Sequence, residues 1–259
     1  MQGYAMKKTD GRPLEGKVAL VTGGAVRIGR ALCLALAEQG ASVAVHYGSS
    51  TEAALETVTA IRGMGGRAES FRADLRNIPA TLDMIRQAME QFGGLDILVN
   101  SAAVFHGVEL GETTEAIWDE QFAVNLRAPF FLAQAFAALV GGERSGQIIN
   151  IADWRGASPD PVCPAYSITK SGILSMTEAL AIYLAPNIRV NAIAPGAVLP
   201  PPGADLNYLN EAAGKSPLGK VCALEQLADA LLYIVTAESV TGQVIFVDGG
   251  RHLGSRQGP

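Results

Sequence analysis

Tyr166 and Lys170 are the two residues of this sequence whose types and spacing most directly support chemistry. They begin an apolar-periodic segment that predicts a helix, and residues four apart lie on one face of a helix. An ammonium beside a phenol favours the phenolate and lowers the phenol pKa from ~10 towards the range of a general acid or base. A half-buried tyrosine next to a solvated lysine would show the same spacing, so the pair needs support from the rest of the chain.

Strands and helices alternate along the chain and must position this pair. Short apolar runs predict strands, and segments with a period near 3.6 predict helices. The alternation indicates an α/β fold, a doubly wound parallel sheet with helices on both faces, in which ligands bind beyond the carboxyl ends of the strands. The predicted strands are 17–21, 42–47, 68–73, 95–100, 147–152, 189–193 and 244–247, and the predicted helices are 28–39, 49–65, 81–92, 115–139, 166–184 and 224–235.

Length, charge and cysteine usage limit the class of protein. The 259 residues, 49% of them hydrophobic, predict one domain over 16–250, with a flexible segment at 1–15 and a tail at 251–259. A net charge of −5 offers no positive surface for nucleic acid or acidic membranes, and the longest apolar run is too short to span a bilayer. Three separated cysteines and the lack of an apolar leader predict a soluble cytoplasmic protein, and the three histidines show no metal-ligand spacing.

A glycine-bearing turn, Thr22 to Gly29, lies between the first predicted strand and the first predicted helix. Glycines at this place let backbone N–H groups and the helix N-terminus approach a pyrophosphate. Gly23 and Gly29 are therefore candidate cofactor residues, although a tight connecting turn has the same composition. Arg27 replaces the middle glycine of the usual dinucleotide motif and could bind a phosphate or a ligand bidentately.

The segment after the second predicted strand bears on the choice between NAD and NADP. An acidic residue there would accept hydrogen bonds from the adenosine 2′-hydroxyl and would repel a 2′-phosphate. His46, Tyr47 and Ser49 occupy the segment, and no carboxylate precedes Glu52. The hydroxyl groups and a nearby arginine predict NADP(H) as the cofactor. An ordinary polar loop, in which Ser49 and Glu52 form a helix capping box, is the alternative.

The order of these motifs resembles the short-chain dehydrogenase/reductase family over about 16–250. The resemblance rests on Thr22-Gly23-x-x-x-Arg27-x-Gly29, Asp74, Asn100-Ser-Ala-Ala, Asn125, Tyr166-x-x-x-Lys170, Pro195-Gly196 and Val247-Asp248-Gly249-Gly250. It implies a single-domain Rossmann fold, a nicotinamide cofactor and a homotetramer. It also implies that Tyr166 donates a proton, that Lys170 lowers the pKa of Tyr166 and holds the nicotinamide ribose, and that Asn125 supports a relay water.

The resemblance also implies a set of cofactor contacts, with Asp74 at the adenine and Asn100 in the lining. The full set is Gly23, Arg27, Ile28, Gly29, His46, Tyr47, Ser49, Asp74, Leu75, Asn100, Ala102, Lys170, Pro195 and Gly196. Pro200 stands where the family has a threonine that contacts the cofactor. The long connection over 196–217 is the expected substrate loop.

Three departures from the family pattern resemble its pteridine reductase branch. Asp153 replaces the serine expected thirteen residues before the tyrosine, Arg27 lies in the glycine turn, and Phe105 follows the fourth predicted strand. The resemblance implies that Arg27 and Asp153 address the pterin and the cofactor phosphates, and that Phe105 stacks on the pterin ring. Ala103 departs from this branch, which has a serine at that position.

Chemistry favours the same substrate. An ionised carboxylate near a ketone would repel the developing oxyanion, whereas the nitrogen of a pterin C=N bond gains a proton as hydride arrives. The predicted function is therefore NADPH-dependent reduction of a dihydropterin- or dihydrofolate-like substrate. The predicted catalytic residues are Asp153, Tyr166, Lys170 and Asn125, and the predicted substrate residues are Arg27, Phe105, Asp153 and Tyr166.

Simpler roles remain open for two of these residues. Asp153 could cap a turn or pair with Arg155, and Phe105 could be part of the core. Two alternative functions also remain open: a ketone or 3-oxoacyl-thioester reductase on the same scaffold, and a sensor that binds NADP(H) without turnover.

Overall fold

The structure is a computed structural model that describes residues 11–140, 145–201, 203 and 207–254. Most of the predicted flexible segment at 1–15 and the last part of the predicted tail lie outside these residues. The described chain forms one parallel sheet of seven strands in the order β3-β2-β1-β4-β5-β6-β7. The strands are β1 (Val18–Val21), β2 (Ser42–Tyr47), β3 (Ala68–Arg72), β4 (Ile97–Asn100), β5 (Gly146–Ile151), β6 (Ile188–Pro195) and β7 (Val244–Val247).

Helices cover both faces of this sheet, because alternate strand residues point to opposite faces and both sets are apolar. On one face, Ala19 and Val21 pack in a core cluster with Leu36. On the other face, Leu20 packs in a cluster with Phe136. The helices are α1 (Arg27–Glu38), α2 (Thr51–Gly63), α3 (Ile78–Phe92), α4 (Glu115–Phe122), α5 (Ala128–Val140), α6 (Pro164–Tyr183), α7 (Asn207–Gly214) and α8 (Leu224–Thr236).

The strand order reverses between β1 and β4, and this switch point opens a crevice at the carboxyl ends of the strands. β1 pairs with β2 through Val18↔Ser42 and with β4 through Ala19↔Ile97. The segments that leave β1, β2 and β4 therefore meet at one edge of the sheet. The predicted doubly wound α/β fold is confirmed, and the crevice is where the predicted site residues gather.

Three predicted elements differ from the structure. The predicted helix 115–139 is divided by a π-helical segment, Ala123–Arg127, in which the Ala128 N–H reaches back five residues to the Ala123 carbonyl. The predicted capping box of Ser49 and Glu52 is wrong, because α2 begins at Thr51 and its N-cap makes no side-chain hydrogen bond. The predicted loop 196–217 contains α7.

The helical stretch Glu115–Val140 is long and apolar enough to span a membrane by length and composition alone. Half of its most apolar window is nevertheless buried inside the protein. Leu132 and Phe136, on its inner face, are fully buried against the sheet. This packing is that of a core helix.

Candidate active site

The turn after β1 is shaped by close backbone approach. Gly23 has a φ of +65°, and a Cβ there would lie 2.9 Å from the Ala102 Cα. A Cβ on Gly29 would lie 2.1 Å from the Gly23 carbonyl oxygen. The Thr22 hydroxyl accepts the N–H groups of Ser101 and Ala102 at 3.0 and 3.1 Å, which ties the turn to the segment after β4. Glycine is therefore required at both positions.

The His46 side chain holds the same turn in place. Its Nδ1 accepts the Gly23 N–H at 3.1 Å, so its Nε2 carries the proton and donates to the Ala73 carbonyl at 3.1 Å. Burial lowers the pKa of His46 to about 4, so the ring is neutral at physiological pH. His46 lines the cofactor cavity, but both ring nitrogens are committed to backbone groups. Its contribution is to position the glycine turn.

A cavity of about 600 Å³ lies between this turn and the ends of β2 and β3. It contains many of the predicted cofactor residues: Gly23, Arg27, Ile28, Gly29, His46, Ser49, Asp74, Leu75 and Ala102. The predicted residues Tyr47, Asn100, Lys170, Pro195 and Gly196 are not among its described lining, and Gly196 lines the neighbouring cavity instead. The lining also includes residues that were not predicted as cofactor contacts, among them Gly48, Ser50, Arg72 and Arg76.

Arg72 is the most informative of these additions. It pairs with Tyr47 across β2 and β3, and its Nε donates to the Gly48 carbonyl at 3.3 Å. The guanidinium therefore lies at the same corner of the cavity as the hydroxyl groups of Ser49 and Ser50. Hydroxyl donors beside a guanidinium suit a phosphate monoester such as the 2′-phosphate of NADP. This corner of the cavity fits that cofactor.

Asp74 lines the cofactor cavity, whereas Asn100 is buried at the end of β4. The Asp74 carboxylate forms an ion pair with Arg76 at 2.8 Å, and the hydrogen bond from Arg76 lowers the pKa of Asp74. Its predicted contact with adenine stays a prediction. Asn100 donates to Asn150 at 2.9 Å, while its buried Oδ1 has no hydrogen-bond partner among the described residues. A buried acceptor without a donor costs free energy, and a bound ligand that supplies a donor would remove that cost.

Tyr166 and Lys170 share one buried face of α6, as the sequence predicts. The Lys170 Nζ donates to the Ile151 carbonyl at 2.9 Å and lies 5.6 Å from the centre of the Tyr166 ring. Burial lowers the pKa of Lys170 to about 8. The predicted lowering of the Tyr166 pKa is wrong for this structure: burial raises that pKa, and Asp153 raises it further. The ammonium is directed to a carbonyl, while a carboxylate lies beside the phenol.

Asp153 joins the tyrosine to an arginine. Its Oδ2 accepts the Tyr166 hydroxyl at 3.3 Å, and its Oδ1 accepts the Arg155 N–H at 2.9 Å. The Arg155 guanidinium lies 3.4 Å from Oδ1 and pairs with Asp160 at 3.1 Å. Burial raises the pKa of Asp153, and the charges of Arg155 and Lys170 oppose that rise. The carboxyl group therefore caps a turn, pairs with Arg155 and contacts the predicted proton donor.

Asn125 lies in the π-helical segment and uses its side chain as a brace. Its Oδ1 accepts the Val104 N–H at 2.8 Å, and its Nδ2 donates to the Val104 carbonyl at 2.9 Å. Its Nδ2 also lies 3.4 Å from the Thr169 hydroxyl on α6. The relay water stays a prediction, while the side chain of Asn125 is committed to fixing the segment after β4 against α6.

A second cavity, of about 300 Å³, adjoins the tyrosine and is lined by the predicted substrate residues. Phe105 is half exposed, so it is not a core residue, and its ring meets Tyr166 edge to face at 4.8 Å. Arg27 lines both cavities and has a φ of +52°. Its guanidinium donates to the carbonyls of Leu199 and Pro200 at 3.3 and 3.1 Å. In this structure Arg27 anchors the substrate loop to the glycine turn.

Further lining residues of this substrate cavity were not named from the sequence, although two of them, Tyr208 and Lys215, lie within the predicted substrate loop 196–217. Tyr208 and Lys215 come from α7 and its end, and Arg251 comes from the short 3₁₀ helix that begins the predicted tail. The buried Trp154 ring has the guanidinium groups of Arg155 and Arg251 at 4.6 and 4.7 Å from its centre. Arg251 is far from Trp154 along the chain, so no local pattern could reveal this contact.

Comparison with known proteins identifies the family. The family model described as enoyl-(acyl carrier protein) reductase matches residues 24–252. The chain is a short-chain dehydrogenase/reductase. It is 36% identical to the (2S)-[(R)-hydroxy(phenyl)methyl]succinyl-CoA dehydrogenase subunit BbsD of Thauera aromatica, over 93% of this chain and 98% of that protein. It is 33% identical to the 3-oxoacyl-[acyl-carrier-protein] reductase FabG of Thermotoga maritima, over 92% and 98%.

A similar solved structure is FolM alternative dihydrofolate reductase 1 from Brucella canis, complexed with NADP. This short-chain dehydrogenase/reductase superimposes on it with a TM-score of 0.87 and 34% identity, over 95% of this chain and 98% of that one. The relatives therefore agree on an oxidoreductase with a Rossmann fold and differ in the substrate that their names give.

Proposed function

We propose that this chain is an NADPH-dependent reductase of a pterin-type C=N bond, with a dihydropterin- or dihydrofolate-like substrate. The observation that carries the proposal is the Asp153 carboxyl group hydrogen-bonded to the Tyr166 hydroxyl in the substrate cavity. The name of the Brucella relative supports the same substrate class.

The cofactor is NADP(H), as the sequence predicts. The Ser49, Ser50 and Arg72 corner supports it, as does the NADP in the Brucella structure. When bound, the cofactor supplies the hydride. Gly23 and Gly29 keep its cavity open, and His46 holds their turn in place.

Tyr166 and Asp153 supply the proton that the substrate nitrogen gains. Because burial raises both pKa values, the phenol is protonated and the carboxyl group retains a proton more readily than an exposed aspartate does. As the substrate carbon accepts hydride, its nitrogen takes the proton of the Tyr166 hydroxyl. Asp153 Oδ2, which accepts the Tyr166 hydroxyl at 3.3 Å, then relays a proton from solvent to that oxygen. Lys170 stabilises the transient phenolate from the same face of α6.

Phe105 shapes the cavity for a flat ring. Its half-exposed side chain faces the substrate cavity, and its edge-to-face contact with Tyr166 fixes its orientation. An aromatic wall favours a planar heterocycle over a flexible chain, because ring stacking adds to the apolar contact.

A 3-oxoacyl-thioester reductase is the second candidate, because FabG and the enoyl reductase family model are both similar to this chain. Asp153 argues against it, since a carboxylate next to the carbonyl oxygen opposes the developing negative charge. The sensor without turnover is disfavoured because Tyr166 and Lys170 are both present and oriented together.

The decisive experiment compares substrate classes on the wild type and one variant. NADPH oxidation is measured with dihydrobiopterin and dihydrofolate, beside an acetoacetyl thioester and a simple diketone. We expect turnover of the pterins alone. Asp153→Ser should lower pterin turnover at least tenfold and leave ketone reduction unchanged or improved, because serine donates to an oxyanion and carries no charge. Ketone turnover without pterin turnover would reject the proposal.

We further propose a homotetramer in the cytoplasm. An apolar groove of about 1090 Å³ runs between α4, α5 and α6, and Phe130 in it is 44% exposed. A second copy of the chain would cover this face, and light scattering should give a mass four times that of the chain. All three cysteines are free and buried, which supports a reducing compartment.

A further inference from the structure

Three cationic side chains border the substrate cavity on the side of α7 and the tail. Arg251, Lys215 and Lys220 belong to its lining. Arg251 is held in place: its N–H donates to the Asp248 carbonyl at 3.1 Å, and its Nη1 donates to the Lys215 carbonyl at 2.7 Å. Its guanidinium also stacks on the buried Trp154 ring at 4.7 Å. A fixed guanidinium at the edge of a cavity is preorganised for an anion.

Three of the four carboxylates of the same lining already have partners. Asp153 and Asp160 both face Arg155. Asp248 pairs with His252 at 2.8 Å and accepts the backbone N–H groups of Gly250 and His252.

By contrast, no ion pair involves Arg251, Lys215 or Lys220 within the described part of the chain. Glu211 is the remaining carboxylate of the lining, and it is likewise unpaired among these residues. Three unpaired cations against one unpaired carboxylate leave this side of the cavity positive.

The small volume of the cavity indicates that the positive edge and the reacting groups would contact different parts of a substrate. About 300 Å³ is at the lower end for small-molecule sites, so a planar ring beside Phe105 and Tyr166 fills most of it. Any longer substituent on that ring must leave through the border of the cavity. Trp154, directly after Asp153 in the chain, connects the two regions, because Arg251 lies on its ring.

We propose that Arg251, supported by Lys215 and Lys220, binds an anionic tail of the substrate outside the site of ring reduction. The inference rests on the proposed function, for which the tail is a glutamate that is joined to the dihydropterin ring through an aromatic linker, as in dihydrofolate. A guanidinium binds a carboxylate bidentately, and the two ammonium groups add charge that is less fixed. The phosphates of an acyl thioester would offer the same chemistry from another source.

The test compares dihydrofolate with its analogue in which both glutamate carboxylates are amides. We expect wild-type KM to be about tenfold lower for the acid, from charge-assisted hydrogen bonds. Arg251→Gln should raise KM for the acid about tenfold, leave KM for the amide unchanged and keep kcat within about twofold. Arg251→Lys should recover part of the difference, and Arg86→Gln, an exposed arginine on α3, is the matched control.

The outcomes separate the inference from the proposed function. Equal KM values for acid and amide in the wild type, or equal losses for both in Arg251→Gln, overturn the inference even if pterins are reduced. If no pterin is reduced, acetoacetyl-CoA is compared with the neutral acetoacetyl-N-acetylcysteamine. An Arg251-dependent KM for the CoA ester alone would then support an anion site for phosphate while the proposed function fails. Lack of any such dependence would overturn both.

Discussion

The cofactor cavity and the substrate cavity lie side by side but are built differently. The cofactor cavity is formed by backbone: two glycines that tolerate no Cβ, a neutral His46 that accepts an N–H, and Thr22, which accepts two more. The substrate cavity is formed by charged and aromatic side chains from separate parts of the chain. The cofactor cavity depends on a local backbone geometry that many sequences share. The substrate cavity depends on which side chains the long connections of the chain bring to it.

The largest expected effect comes from Tyr166, which belongs to the substrate cavity alone. Tyr166→Phe removes the proposed proton donor and keeps the ring that packs against Phe105. We expect kcat to fall by about 10²- to 10⁴-fold, the usual contribution of a general acid, with the Kd of NADPH unchanged. Stopped-flow hydride transfer and fluorescence titration of NADPH measure the two quantities. A comparable loss in NADPH affinity would show that the two cavities are not separable in this way.

The difference between the cavities also explains what sequence could predict. The glycine turn and the Tyr166/Lys170 pair were predictable, because each depends on residues within one turn and its flanking elements. The doubly wound parallel sheet followed from the alternation of strands and helices. These features require only local spacing, which a sequence displays directly.

Arg251, α7 and Arg72 could not be predicted in the same way. α7 is a short helix in a proline-rich connection, and Arg251 reaches its place only because the chain turns after β7. Arg72 gains its role from the pairing of β3 with β2, which sets it opposite Tyr47. The shift of the Tyr166 pKa was predicted in the wrong direction. The prediction considered Lys170 on the same helix and left out the burial of the phenol and the Asp153 carboxylate beside it.

The second prediction concerns His46 and the stability of the cofactor cavity. Its pKa moves from 6.5 to about 4 on folding, so between these pH values the unfolded chain binds more protons than the folded chain. Stability should therefore fall as pH decreases from 6.5 to 4, by about 3 kcal/mol from this residue, and should lose nothing further from it below pH 4.

His46→Asn keeps an acceptor and a donor but does not titrate. We expect it to be less stable than the wild type at pH 7 and to lose less stability on acidification, so that the two free energies of unfolding approach each other by about 3 kcal/mol at pH 4. Urea denaturation at each pH measures both. Parallel curves for the two proteins would mean that His46 is not the neutral brace of the glycine turn.

The smallest expected effect tests one of the charged side chains of the cofactor cavity, Arg72. Arg72 is held by the Gly48 carbonyl and lies at the corner with Ser49 and Ser50. If it binds the 2′-phosphate, Arg72→Gln should weaken 2′,5′-ADP by about tenfold, since the site is open to screening solvent. The same variant should bind 5′-AMP within about twofold of the wild type, with Arg86→Gln unchanged for both ligands in calorimetry. Equal weakening of both ligands would show that Arg72 only supports the loop. This corner of the cofactor cavity would then bind the cofactor through backbone groups and neutral side chains.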